Sequence, residues 1–135
     1  MIRYGVSFAF FAFICSVIYM ADAGIPNLMM QLTGAVPMGD KLGHFGLFGT
    51  LAFLLNWALR YRSFQAARRP WLWGSVLVLS FALLEEGSQA FFPQRTLDAA
   101  DALADVLGVW AFSQLSWRMA RQAGSMHHPR ELELP

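Results

Sequence analysis

Five of the nine acidic residues fall between Glu85 and Gly108, in the run E-E-G-S-Q-A-F-F-P-Q-R-T-L-D-A-A-D-A-L-A-D-V-L-G. The rest of the chain is built mainly from Phe, Leu, Ala, Val and Trp. A carboxylate inside an apolar run is costly to desolvate, so its presence points to a partner or a task. Carboxylates, together with an imidazole, can move protons or ligate a hard or borderline cation. His44 supplies the imidazole, and Lys41 and Arg95 supply the nearby positive charge.

The spacing sets these groups on helix faces. Asp40 and His44 are i and i+4, as are Glu85 and Gln89; Glu86 and Gln89 are i and i+3. Asp98, Asp101, Asp105 and Gly108 follow at intervals of three, four and three, a single stripe in which Gly108 lets a neighbouring helix come close. At 1.5 Å per residue, Glu86 and Asp105 reach about 10 Å below the surface on which the helices begin or end. Glu85 and Asp98 sit nearer that surface and are expected to point at headgroups.

The elements that must position these residues read as apolar spans. The 135-residue chain is 56% hydrophobic and 14% charged, with a mean hydropathy of +0.42, which indicates a membrane protein of one domain. Its basic residues form no patch interleaved with stacking aromatics, so a nucleic-acid partner is not expected. The single cysteine, Cys15, excludes an internal disulfide and a cysteine metal cage.

Four spans are expected. Tyr4 to Ala21 is an uncharged run of near-spanning length behind Arg3. A cleaved signal peptide is the rival reading, since Ala21-Asp22-Ala23 has a small-x-small pattern, although the run is longer than a usual signal core. Asp22 to Gly39 is broken by Pro26 and Pro37 and reads as an interfacial connection with one short amphipathic helix. The second span starts at Asp40-Lys41 and ends near Leu59, the third runs from Trp71 to Phe92 and stops at Pro93, and the fourth runs from Asp98 to Trp117. The Arg60 to Pro70 segment reads as a loop flanked by an aromatic belt.

Eight of the ten basic residues fall on one side of this arrangement and only Lys41 and Arg95 on the other, which places both termini in the cytoplasm. Residues 1–122 thus form one all-α transmembrane domain, a four-helix bundle in the cell membrane. Residues 123–135 read as a flexible cytoplasmic tail, in which His127-His128 is a solvated pair and not a metal site.

The segments D40-K-L-G-H44-F and E85-E-G-S-Q89-A-F-F-P93-Q-R95-T-L-D98-A-A-D101-A-L-A-D105-V-L-G108 resemble the two signature regions of VanZ-like membrane proteins. The match runs from Asp40 to Gly108, about half of the chain. It departs at Asp105, where many members carry Asn. The resemblance implies a small multi-pass envelope protein, the founding member being an accessory factor of glycopeptide resistance that protects against teicoplanin. It implies no reaction, catalytic residue or cofactor.

Three functions follow as expectations. In the first, a polar cleft of Asp40, Lys41, His44, Glu86, Gln89, Arg95, Asp101 and Asp105 meets a lipid-linked or surface glycan component from the outer leaflet. The second is a membrane-embedded hydrolase or transferase with a divalent metal held among His44, Glu86, Asp101 and Asp105. In the third, Lys41 and Arg95 brace the acids and the role is structural. Six acids against two cations leave four unmatched charges, which weighs against a pure brace.

Overall fold

The computed structural model describes residues 1–122 and 124. The expected flexible tail, with His127 and His128, lies outside these residues apart from Gly124.

The all-α class holds. Five helices run in the order α1 (Ile2–Asp22), α2 (Leu28–Gly34), α3 (Gly39–Ala58), α4 (Trp73–Ser88) and α5 (Ala99–Gln122), with one turn of 3-10 helix at Gln89–Phe91 extending α4. The helix breaks follow the chemistry of the sequence. Asn27 caps α2 by accepting from the Met30 N–H at 2.9 Å, and Asp98 caps α5 by accepting from the Ala100 N–H at 2.8 Å. Between α2 and α3, Gly39 passes so close to the Thr33 carbonyl that a Cβ has no room there.

The Arg60 to Pro70 segment is more ordered than a loop. Strands β1 (Ser63–Ala66) and β2 (Arg69–Leu72) pair antiparallel, with Phe64 opposite Trp71. Ala67 and Arg68, at φ 50° and 60°, form the two-residue left-handed turn that matches strand twist. The hairpin packs down through Leu72, which joins Tyr61 and Ala120 in a small buried cluster.

α3 is the central element, packed against α1, α4 and α5, with its most extensive contact on α5. Ile14 of α1, Phe48, Leu51 and Ala52 of α3, Val78 and Ala82 of α4 and Val109 of α5 form the main core. Two glycines bring α3 and α5 together. A Cβ on Gly108 would run into the Phe45 carbonyl, and one on Gly49 would meet the Phe112 ring and the Gly108 carbonyl. The role read for Gly108 from its place on the acidic stripe is therefore the one it has.

A second set of interior contacts is polar. Asn56, fully buried, donates to the hydroxyls of Ser75 at 2.8 Å and Ser116 at 3.3 Å and accepts from the Ser75 N–H at 3.1 Å. Ser113 joins at 2.6 Å from Ser75. This knot ties α3, α4 and α5 near the end opposite the acidic stripe.

The interior mixes apolar and polar side chains, and many large apolar side chains are exposed. Buried positions include Asn56, Ser116, Glu86, Gln89 and Asp105, whereas Phe8, Tyr19, Leu77, Leu84, Leu103 and Trp110 are exposed. Of the four expected spans, α1 is the helix among the described residues that is both long and apolar enough to cross a membrane. The others fall short for local reasons. α4 has 16 residues, and α3 and α5 carry Asp40, Lys41, His44 and Asn56 or Asp101, Asp105, Arg118 and Arg121.

Candidate functional site

The acidic stripe of α5 faces the head of α3. Asp101, in the first turn of α5, accepts from Lys41 Nζ at 3.0 Å, and the same ammonium reaches Asp40 and Asp98 at 2.9 Å each. Lys41 is thus held by three carboxylates and does not extend to headgroups alone. Its ammonium holds the Asp98 carboxyl below the usual carboxylate range. One turn deeper, His44 Nδ1 lies 3.0 Å from Oδ1 of Asp105, and His44 Nε2 lies 3.9 Å from Oδ2 of Asp101.

The end of α4 supplies the second half. Gln89 Nε2 donates to Glu86 Oε2 at 2.9 Å and to both Glu85 oxygens at 3.2 and 3.3 Å. Glu86 Oε1 in turn accepts the Asp98 N–H at 2.8 Å, which joins the two halves. Arg95, on the loop after Pro93, folds back to Glu85 at 3.2 Å and to Asp22 of α1 at 3.4 Å.

All eight cleft residues named from the sequence therefore fall in one region at one end of the bundle. Glu85 corrects an expectation. It is buried beside Gln89 and Arg95 and does not face headgroups, because the Arg95 loop closes over the end of α4. Asp98 is partly exposed as expected but is tied to Lys41. Three participants were missed. Asp22, read as part of a connection, is a partner of Arg95, and no local signal marks a contact 73 residues apart. Gln94 and Thr96 line the cleft from the same loop; their position beside Arg95 was the available clue.

The cleft itself has a volume of about 300 Å³ and opens between α1, α2, α3 and the α4–α5 loop. Ile14, Val17, Ile18, Met29, Met30 and Leu47 form an apolar wall, and His44, Glu85, Gln89, Arg95 and Asp101 form a polar floor. Such a site is shaped for a ligand with an apolar body and a polar end.

His44, Glu86 and Asp101 each offer one donor atom within 4.8 Å of the other two. Asp40, Asp98 and Asp101 do the same, but Lys41 Nζ already stands among them. Within the region, Asp105 Oδ2 is buried without a hydrogen-bond partner.

No family model, curated protein or solved structure matches the chain.

Proposed function

We propose that the protein is an integral membrane protein of the cell envelope, of the VanZ-like kind, whose cleft binds a lipid-linked or cell-surface component entering from the outer leaflet. The observation that carries this reading is the cleft, with an apolar wall from α1 and α2 facing a hydrogen-bonded polar floor from α3 and α4. An acyl or prenyl chain lies against Ile14, Val17 and Met30 while its head reaches Arg95, Gln89 and His44.

The same proposal takes α1, α3, α4 and α5 as four spans with both termini cytoplasmic. Its support is the many large apolar side chains exposed around the bundle, together with buried polar ones such as Asn56, Glu86 and Asp105. The arginine-rich end around Arg60, Arg62, Arg68 and Arg69 would then face the cytoplasm and the acidic cleft the exterior. Interior pairing lets helices of modest hydropathy remain in lipid.

Cells carrying the protein should show an altered envelope-stress or teicoplanin phenotype, and Glu86→Gln and His44→Ala should abolish it at normal membrane abundance. A direct test measures saturable binding of a polyprenyl phosphate to the purified chain in detergent. Binding should be lost when Val17→Trp and Met30→Trp fill the apolar wall; equal binding by these variants would remove the cleft as the site.

The structural reading retains one specific support, since Lys41 and Arg95 are each held by more than one carboxylate. It requires Glu86→Gln and His44→Ala to behave like the parent while Arg95→Gln alone is harmful.

A further inference from the structure

We infer that a divalent-cation site adjoins the floor of the cleft, with His44 Nε2 and Asp101 from its lining and the buried Glu86 as ligands and Asp105 as the residue that positions His44. The inference deepens the ligand-binding reading above and rests on the same cleft.

Geometry comes first. The three donor atoms lie within 4.8 Å of one another, a span that ligands about 2.1 Å from a common ion reach after small side-chain shifts. Each ligand is already held by a hydrogen bond, and Glu86 by one on each oxygen, its Oε1 accepting from the Asp98 N–H at 2.8 Å, so that it would ligate through a remaining lone pair. Asp105 accepts from His44 Nδ1 at 3.0 Å, Lys41 holds Asp101 Oδ1 at 3.0 Å, and Gln89 holds Glu86 Oε2 at 2.9 Å. With Asp105 ionised the carboxylate only accepts, which puts the His44 proton on Nδ1 and leaves the Nε2 lone pair for a cation. A histidine oriented by a carboxylate on its other nitrogen is the usual outer-shell arrangement of a metal site.

Two further observations point to a cation and not to an acidic surface alone. Asp105 is completely buried, and its Oδ2 has no partner among the described residues, so the region holds more negative charge than its hydrogen bonds satisfy. With Asp22 included, seven carboxylates meet two cations, Lys41 and Arg95, leaving five formal negative charges unmatched. A dication at the floor reduces that surplus. It also explains how an acidic cleft accepts an anionic head, which the bare carboxylates would repel.

One imidazole and two carboxylates suit borderline Zn²⁺, with the harder Mn²⁺ able to take the same mixed shell, over Ca²⁺ or Mg²⁺, which prefer all-oxygen shells. His44 and Asp101 line the cleft, so the remaining coordination positions are open to a phosphate-bearing head.

The test uses the full chain in detergent, stripped of metal with a chelator and titrated with Mn²⁺ and Zn²⁺. One ion should bind per chain, and Mn²⁺ electron-nuclear resonance should report a nitrogen coupling that His44→Gln abolishes. Affinity should fall at least about 10-fold in His44→Gln, Glu86→Gln and Asp101→Asn, and also in Asp105→Ala through misorientation of His44. Asp98→Asn, whose side chain reaches Lys41 and caps α5 but contacts none of the three ligands, should bind like the parent. The inference is overturned if the parent shows no nitrogen coupling, binds no more tightly than a His44→Gln/Glu86→Gln double variant, or loses as much affinity through Asp98→Asn as through Glu86→Gln. No lipid ligand is present in these titrations. Loss of the metal therefore leaves polyprenyl-phosphate binding to stand or fall by its own measurement.

Discussion

Asp105 places Oδ1 3.0 Å from Nδ1 of His44, across the interface of α3 and α5, and has no solvent-exposed surface of its own. The contact brings together a residue near the start of the second expected span and one in the fourth. It also couples two of the region's titratable groups, since turning either the ring or the carboxylate breaks the contact.

Replacing Asp105 by Asn keeps an acceptor for the His44 ring and removes a buried charge. The thermal midpoint should stay the same or rise. Asp105→Ala leaves the Nδ1–H without a partner and should cost about 1–3 kcal/mol. Thermal unfolding in detergent distinguishes the two, and equal losses would show that the contact does not hold His44.

Arg95 is the principal tie between the α4–α5 loop and α1. Arg95→Gln strips Glu85 and Asp22 of their cation and should destabilise by about 3 kcal/mol. Adding Glu85→Gln should restore most of that loss, because the buried charge left behind is removed with it. A double-mutant cycle that shows simple additivity would refute the pairing.

Glycine substitutions on the two interior helices should split cleanly. Gly108→Ala drives a Cβ into the Phe45 carbonyl, a backbone atom that cannot rotate away, and should cost about 1–3 kcal/mol. Gly46→Ala meets no atom within 4 Å and should be neutral or stabilising by about 0.5–1 kcal/mol. Comparable losses at both positions would mean that α3 and α5 do not approach through Gly108.

The proposed topology makes its own demand. Reporter fusions after Arg62 and Arg121 should report cytoplasm, and fusions near Gly34 and Gln94 should report the exterior. α1 should remain attached in the mature chain. α1 is seated in the core through Ile14, and Ser7 donates to the Leu54 carbonyl at 2.9 Å. Amino-terminal sequencing that starts at Gly24 would show instead that the segment is removed.

Much of the helical layout was legible from periodicity and breakers. Pro37 and Gly39 open α3, Asp98 begins α5, and the intervals of Asp98, Asp101, Asp105 and Gly108 fix one face whatever the tertiary context. Facing partners were less legible. Glu85 and Glu86 are adjacent, and a helix pattern alone does not reveal that a loop returns over both. Asn56 within an apolar span was a signal, but Ser75, Ser113 and Ser116 read as small residues until the helices bring their hydroxyls together. The hairpin escaped notice because Ala67 and Arg68 adopt left-handed conformations without the Asn-Gly or Asp-Gly pair that usually announces such a turn.

The Asn56 knot bears on how the chain is made. Released singly into lipid, α3 would carry an unsatisfied amide, and α4 would bring Glu85 and Glu86 without the loop that covers them. Under the proposed topology each becomes tolerable only beside the others, so α3, α4 and α5 would have to come together before any one of them could rest in lipid.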